Sequence, residues 1–322
     1  MNDMKNKLTA VMKSCSESSP SVAASMVKFH NNKLVSYGGV FCVQVPFQNG
    51  LDCAFSPKPL LNFFRKTREG VVYTHKNGKM LVKHRKERVT ITTVEGTTMP
   101  IIDVLSDPEP VKKFPSKKAI KCLLECINPS DSLHALQGVL LKDRMAVATN
   151  RKVILALPSG LSKNIDLVLP VDTLKFMSTL DAKVNRVSYD GTHIKFYYDD
   201  GMTVCSQIID SENFPTFQGV VVTKGDEVKI NEQVVEELSG IKCDTVTVSN
   251  EGITYTLDEG KSVGELRIKS KGEFSFTVRK PLFDILMDLT IDNIIYIDKG
   301  MKSLHANGQK HFRMVLTTYA HA

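Results

Sequence analysis

The chain has 322 residues, 42% of them hydrophobic and 24% charged, with no tryptophan and a formal net charge of +7. That is enough chain for two or three domains with a substantial core, in the composition of an ordinary soluble globular protein. No apolar run approaches the roughly 18 residues that a membrane span needs, so no membrane partner is expected. The basic excess says little about fold; it suits a polyanionic partner, although a plain solubility surface carries the same charge. The opening MNDMKNKLTAVMKSC has neither the apolar stretch nor the small-residue cleavage site of a signal peptide, and a cytoplasmic location is expected. Seven cysteines, Cys15, Cys42, Cys53, Cys122, Cys126, Cys205 and Cys243, sit inside apolar segments. They read as free, mostly buried thiols of a reducing compartment. No Cys/His spacing suits zinc, the histidines are scattered, and neither metal nor cofactor is expected.

The first predicted element is an amphipathic helix over Asn2–Cys15, with Met4, Leu8, Val11, Met12 and Cys15 on one stripe. Strand-like runs follow at Ala24–Phe29, Lys33–Tyr37, Val40–Val45 and Leu51–Phe55. Asn49-Gly50 and Asn77-Gly78 read as hairpin turns, because type I′ turns require positive φ at both central residues. Ser56-Pro57 opens a second helix through Lys66, with Pro in its first turn. Strands resume at Val71–Thr74, Met80–His84 and Arg88–Thr93, and Ser106–Pro110 reads as a linker. Ser116 is placed to cap a helix carrying Ile120, Leu123, Leu124 and Ile127. Strands Leu136–Lys142, Arg144–Thr149 and Val153–Leu157 lead through Leu167–Pro170 into a helix over Val171–Leu180. Asp190-Gly191 and Asp200-Gly201 mark two further hairpins. A short helix then opens near Asn231 and stops at Gly240. The last helix covers Lys280–Leu289, between strands at Thr245–Val248, Ile253–Leu257, Leu266–Ser270 and Phe274–Val278 and closing strands at Asn293–Ile297 and His311–Thr318.

Helix, strands, helix, strands recurs three times at a spacing of roughly 110 residues, the size of a small domain. The expected architecture is α+β with antiparallel sheets, in three domains over residues 1–109, 110–222 and 223–322.

Catalytic motifs are absent or weak: there is no GxxxxGK[ST], GxSxG, HExxH or GxGxxG. Tyr197-Tyr198-Asp199-Asp200 resembles a carboxylate pair that clamps Mg²⁺ in some polymerases. Asp-Gly in the same place is also a plain hairpin turn, and no second acidic motif accompanies it. Glu232, Glu236 and Glu237 read as a solvated helix face. Basic residues recur on or beside nearly every helix: Lys5, Lys7, Lys13, Lys58, Arg65, Lys117, Lys118, Lys121, Lys175, Arg279 and Lys280. Each helix alone could be a solvated surface. Their repetition suits sequence-neutral contact with phosphate.

In the middle third, Gln137-Gly138-Val139-Leu140-Leu141, Val147-Ala148-Thr149-Asn150, Val168-Leu169-Pro170 and Ser206–Pro215 follow one another in order. This resembles the middle domain of the bacterial sliding clamp, the beta subunit of DNA polymerase III, whose pattern is close to NGxLxE, VATDGHRLA, VPxK and KLIDGKFPDY. The likeness extends more weakly to Ser56–Arg68, Phe276–Leu289 and Arg313–Thr318. It implies a head-to-tail homodimeric ring of six domains, helices around the hole and sheets outside, with no active site. Duplex DNA would be held topologically by a mildly positive lumen to which the basic residues above contribute. It also implies a cleft that captures short motifs of DNA polymerase, clamp loader and repair proteins, here Leu136, Thr149, Ile154, Pro215, Val220, Pro281 and Leu316; core packing is the plain alternative for each apolar member.

The shortened third unit points to a divergent, phage-encoded clamp, and departures from the family motifs imply a dedicated partner peptide. Asn150-Arg151-Lys152-Val153-Ile154 stands where the family has Asp-Gly-His-Arg-Leu. Gly219 replaces an arginine, Leu316-Thr317-Thr318 replaces Met-Pro-Met, and the pI of about 8.9 is high for the family. Two other functions remain: a clamp-derived transcription or repair adaptor that does not encircle DNA, and a metal-dependent nucleic-acid enzyme using Asp199 and Asp200.

Overall fold

The computed structural model describes residues 3–15, 22–64, 70–94, 99, 106–217, 226–249, 251–257, 262–266, 275–290, 294–298, 303–307 and 313–317. The first third holds α1 (Asp3–Ser14), α2 (Val22–Ser25), β1 (Val27–His30), β2 (Lys33–Tyr37), β3 (Phe41–Pro46), β4 (Cys53–Phe55), α3 (Pro57–Phe63), β5 (Val72–Lys76), β6 (Lys79–His84) and β7 (Glu87–Val94). Then come β8 (Glu109–Pro110), α4 (Lys117–Glu125), β9 (Gly138–Lys142), β10 (Met145–Thr149), β11 (Val153–Pro158), β12 (Leu167–Pro170), α5 (Val171–Met177), β13 (Val184–Tyr189), β14 (His193–Tyr198) and β15 (Thr203–Gln207). The last third holds β16 (Asp226–Lys229), α6 (Glu232–Ser239), β17 (Thr245–Ser249), β18 (Ile253–Leu257), β19 (Ser262–Leu266), β20 (Ser275–Arg279), α7 (Lys280–Leu289), β21 (Ile294–Asp298), β22 (Ser303–Asn307) and β23 (Arg313–Thr317). The fold is α+β, each third carries the two expected helices, and the ladders among the described residues are antiparallel.

By contacts the chain divides into two compact units, Met1–Lys117 with Asp172–Ile208, and Lys118–Val171 with Ile209–Ala322. The first contains an eleven-stranded sheet in the order β5-β6-β7-β4-β1-β2-β3-β15-β14-β13-β8. Its two parts meet at the β3–β15 ladder, where Gln44 faces Thr203, Val43 faces Val204, Cys42 faces Cys205 and Phe41 faces Ser206. Helices cover the Phe41 face. The α1 stripe buries Leu8 and Val11, and its Ser14 hydroxyl is bonded to that of Ser36 on β2. From α5, Phe176 stacks on Phe41 at 5.0 Å, and the Thr173 and Ser206 hydroxyls bond at 2.7 Å. Polar pairs thus fix the register of helices that apolar burial holds down.

The second unit contains an eight-stranded sheet, β12-β9-β10-β11-β23-β22-β21-β16, and a four-stranded one, β19-β18-β17-β20. Strands β9 to β12 are buried on both faces, which is why they read as unbroken apolar runs rather than alternating ones. A Cβ at Gly138 would lie 2.3 Å from the Leu169 carbonyl oxygen of β12, so close β9–β12 approach requires glycine there.

Several local expectations change. Asn77-Gly78 does close a hairpin, with φ of 50° and 67°. Asn49-Gly50 does not: β3 and β4 flank the β1–β2 pair on opposite sides, so that turn joins non-adjacent strands. The Ala24–Phe29 run begins as the short helix α2. The Ser106–Pro110 linker contains β8, which pairs with β13 at Arg186 and Val187.

Candidate nucleic-acid and partner surfaces

The structure separates the basic residues into different environments. Lys13 on α1, Lys58 on α3, Lys121 on α4 and Arg279 at the start of α7 are exposed, and Lys7 is half-buried. Lys117 and Lys118 are exposed but reach carboxylates, Lys117 to Asp181 at 2.8 Å and Lys118 to Asp288 at 2.7 Å. The hydrogen bond from Lys117 holds the Asp181 carboxyl below its ordinary range, and that to Asp288 raises the Lys118 ammonium. Lys175 lies 3.6 Å from Asp172, one turn back on α5. Lys280 departs from an exposed helix-face position: its side chain is buried, with both Asp284 oxygens at 2.6 and 2.7 Å. Its i,i+4 partner lies on the same face of α7 and takes up the charge locally. The Lys5 side chain and Arg65 lie outside the described residues.

Lys7, Thr9 and Lys13 of α1 border a pocket of about 400 Å³ with Asp181 and Asp200. Asp200 is there as part of a turn. Its carboxylate accepts from the Met202 N–H at 3.0 Å, and Asp199 accepts from Lys183 N–H at 3.1 Å. Gly201 supplies φ of 83° between β14 and β15. Both aspartates therefore serve a hairpin, and no cluster of three metal-ligating side chains occurs among the described residues.

Part of the predicted cleft comes together in the second unit. Leu136, from the 3₁₀ turn His134–Gln137, packs with Leu140, Val147, Ala156, Val168, Phe214 and Phe217, and Ile154 borders that cluster. Thr149 stands opposite Ile154 in the β10–β11 ladder. Pro215 is exposed beside Phe214. Pro281 is exposed in the first turn of α7 and is not part of that cluster. Val220 lies outside the described residues. In the β11–β23 ladder Leu316 stands opposite Val153 and Val315 opposite Ile154. Strand positions alternate between faces, so position 315, not 316, shares the face of Thr149 and Ile154.

The structure adds a pair that the sequence reading did not contain. Arg151, in the β10–β11 turn, has φ of 72°, a left-handed value that favours glycine. Its Nη2 donates to Asp131 Oδ1 at 2.7 Å. That oxygen also accepts from Leu133 N–H at 2.9 Å, and the Asp131 carbonyl accepts from Gln137 Nε2 at 2.7 Å. The Leu133 N–H, then the Arg151 guanidinium, hold the buried Asp131 carboxyl below its usual range. The pair fastens the segment before Leu136 to the turn between Thr149 and Ile154. Arginine at the family's glycine position was its only signal in the sequence.

The chain matches no protein-family model and no curated protein sequence. Among solved structures it is similar to the Helicobacter pylori beta clamp bound to a DNA ligase peptide, with a TM-score of 0.76 and 15% identity over 99% of this chain and 98% of that one. It is similar to the DNA polymerase III subunit beta from Pseudomonas aeruginosa, with a TM-score of 0.75 and 15% identity over 98% and 97%. The DNA polymerase sliding clamp from Bacillus subtilis gives 0.76 and 12% over 100% and 98%. The chain therefore has the beta-clamp fold along essentially its whole length.

Proposed function

We propose that the protein is a DNA sliding clamp: a non-enzymatic processivity factor of three domains, over residues 1–109, 110–222 and 223–322, that closes as a head-to-tail homodimeric ring around duplex DNA. The observation that carries this reading is the end-to-end likeness to clamp structures. Had only one domain matched, an adaptor would suit as well. Two further features support it. Exposed lysines lie on helices of the first two thirds, and exposed Arg279 stands at the start of α7 in the last, a pattern that contacts phosphate without reading bases. Open main-chain edges are also available for ring closure. β19 is an outer strand of its sheet, and β4 reaches β7 only at Thr93 and Val94.

The cleft around Leu136, Thr149, Ile154 and Pro215, with position 315 on β23, is proposed to take short motifs from a DNA polymerase and a clamp loader. Cytoplasmic action fits the absence, among the described residues, of any helix long and apolar enough to cross a membrane.

Electron-microscope class averages with a solution mass test the reading. A six-lobed ring at twice the 35.8 kDa chain mass is expected. A compact monomer at micromolar concentration would leave the fold and remove encirclement, favouring the adaptor.

A further inference from the structure

Apolar side chains open to solvent and a held guanidinium adjoin one another at the β10–β11 turn. Leu133 and Ile154 are each half-buried and pack on the cluster of Leu136, Val147, Ala156 and Phe214. Asp131 precedes Leu133 by two residues and Arg151 precedes Ile154 by three, so their ion pair joins the two segments that carry these apolar groups. The turn itself is closed without the arginine side chain. Arg151 N–H donates to Thr149 Oγ1 at 3.2 Å, and Asn150 Oδ1 accepts from the Lys152 and Val153 N–H groups at 3.1 and 3.0 Å. An arginine here is costly, because its φ of 72° suits glycine, and strain of that kind marks a position held for more than its backbone. The side chain is 58% exposed. A guanidinium carries five N–H donors in a planar fork. Arg151 gives one, on Nη2, to Asp131 Oδ1, and among the described residues its remaining side-chain donors have no second partner. Lys152 adds a positive charge at the next position. The other acidic residue within 126–165, Asp143, lies in the β9–β10 turn at the opposite end of the ladder.

We propose, resting on the reading of this surface as a peptide cleft, that Arg151 is its specificity-determining residue. It selects a linear motif in which an aspartate or glutamate side chain stands beside the apolar residues that Leu133 and Ile154 receive. Paired N–H groups of the fork match the two oxygens of a carboxylate in geometry and charge, which a side-chain amide does not. Apolar contact alone admits many sequences, and the guanidinium adds the polar condition that sorts among them. Asp131 is the positioning residue: by holding Nη2 it fixes the fork before the peptide arrives and lowers the ordering cost of binding.

The experiment selects random octapeptides displayed on phage against the immobilised full chain, with Ile154→Asp, its fold checked by circular dichroism, as the comparison target. The expected sequences share two apolar residues and an aspartate or glutamate at a fixed distance from them. One such peptide is then made with a fluorophore and an amidated C-terminus, together with its Asn or Gln counterpart, and both are titrated by anisotropy. Wild type should prefer the acidic peptide about tenfold. Arg151→Gly, which keeps the turn's φ without strain, should lose that preference. A loss of affinity equal for both peptides in Arg151→Gly would make the arginine merely structural. Selected sequences with apolar residues but no acidic one would equally overturn its role, and both results leave the cleft standing. Failure of wild type to enrich any sequence over Ile154→Asp would remove the cleft itself, and the role of Arg151 with it.

Discussion

At the scale of single residues, Arg151 concentrates two opposing effects. Its φ of 72° costs a non-glycine residue about 1 kcal/mol, while its guanidinium completes the partners of Asp131. Replacement by glycine or by alanine removes the ion pair equally, but only glycine relieves the backbone. Arg151→Gly is therefore expected to be about 1 kcal/mol more stable than Arg151→Ala in urea unfolding; equal stabilities would show that the turn is not strained. Asp131 has its own pH signature. A carboxyl depressed in the folded state contributes stability that is fully present above the unfolded pKa, near 3.9. That contribution is lost as pH falls through the lower folded value. The margin of wild type over Asp131→Asn should thus be constant near neutrality and shrink only in that acid range. In Arg151→Gly the Asp131 carboxyl, followed by NMR, should rise toward its ordinary value without reaching it, because the Leu133 N–H remains.

At the scale of elements, the sequence disclosed what periodicity and turn chemistry control. The α1 and α7 stripes, the Asn231 cap of α6 and the Asn77-Gly78 hairpin are local consequences of side-chain spacing and φ preference. What it withheld depends on partners distant in the chain. Asn49-Gly50 has the chemistry of a hairpin, yet β3 finds its neighbours in β2 and β15. Lys280 looked like a surface charge until Asp284 and the packing of α7 were known. Thr149 and Ile154 of the proposed cleft fall within or beside ordered motifs, whereas which of positions 315 and 316 shares their face depends on a ladder register that no run of apolar residues reveals. Gly138 is an element-scale test. Gly138→Ala forces β9 and β12 apart against the Leu169 carbonyl, a displacement of main chain rather than of a flexible side chain. A loss of about 2–3 kcal/mol is expected in chemical denaturation. A change below about 0.5 kcal/mol would mean that the strands separate freely.

At the scale of the whole molecule, the proposed ring closure would turn on exposed backbone. Thr93 N–H donates to the Gly78 carbonyl at 2.9 Å, so by alternation the N–H groups of Arg88, Thr90 and Thr92 point away from β6. Thr90→Pro deletes one of these while leaving the β6–β7 bonds in place. The variant should remain folded by circular dichroism and sediment as a monomer where wild type is a dimer. An unchanged dimer would move the interface elsewhere. For DNA, Lys13→Glu with Lys121→Glu changes two exposed charges on different helices and should reduce retention on circular duplex at least several-fold with the fold intact. Full retention would remove these helices from the DNA-facing surface.

The ion pairs of Lys117, Lys118 and Lys175 with Asp181, Asp288 and Asp172 bear on how such a ring would travel. A bare ammonium meeting a phosphate falls into a well and must climb out again to reach the next. An ammonium that already rests on a carboxylate trades one oxygen for another at nearly level energy, and trades back as the phosphate passes. In the proposed ring each pair would act as a bearing: it would lend the duplex a charge for the moment of contact, take it back on departure, and keep friction along the helix low.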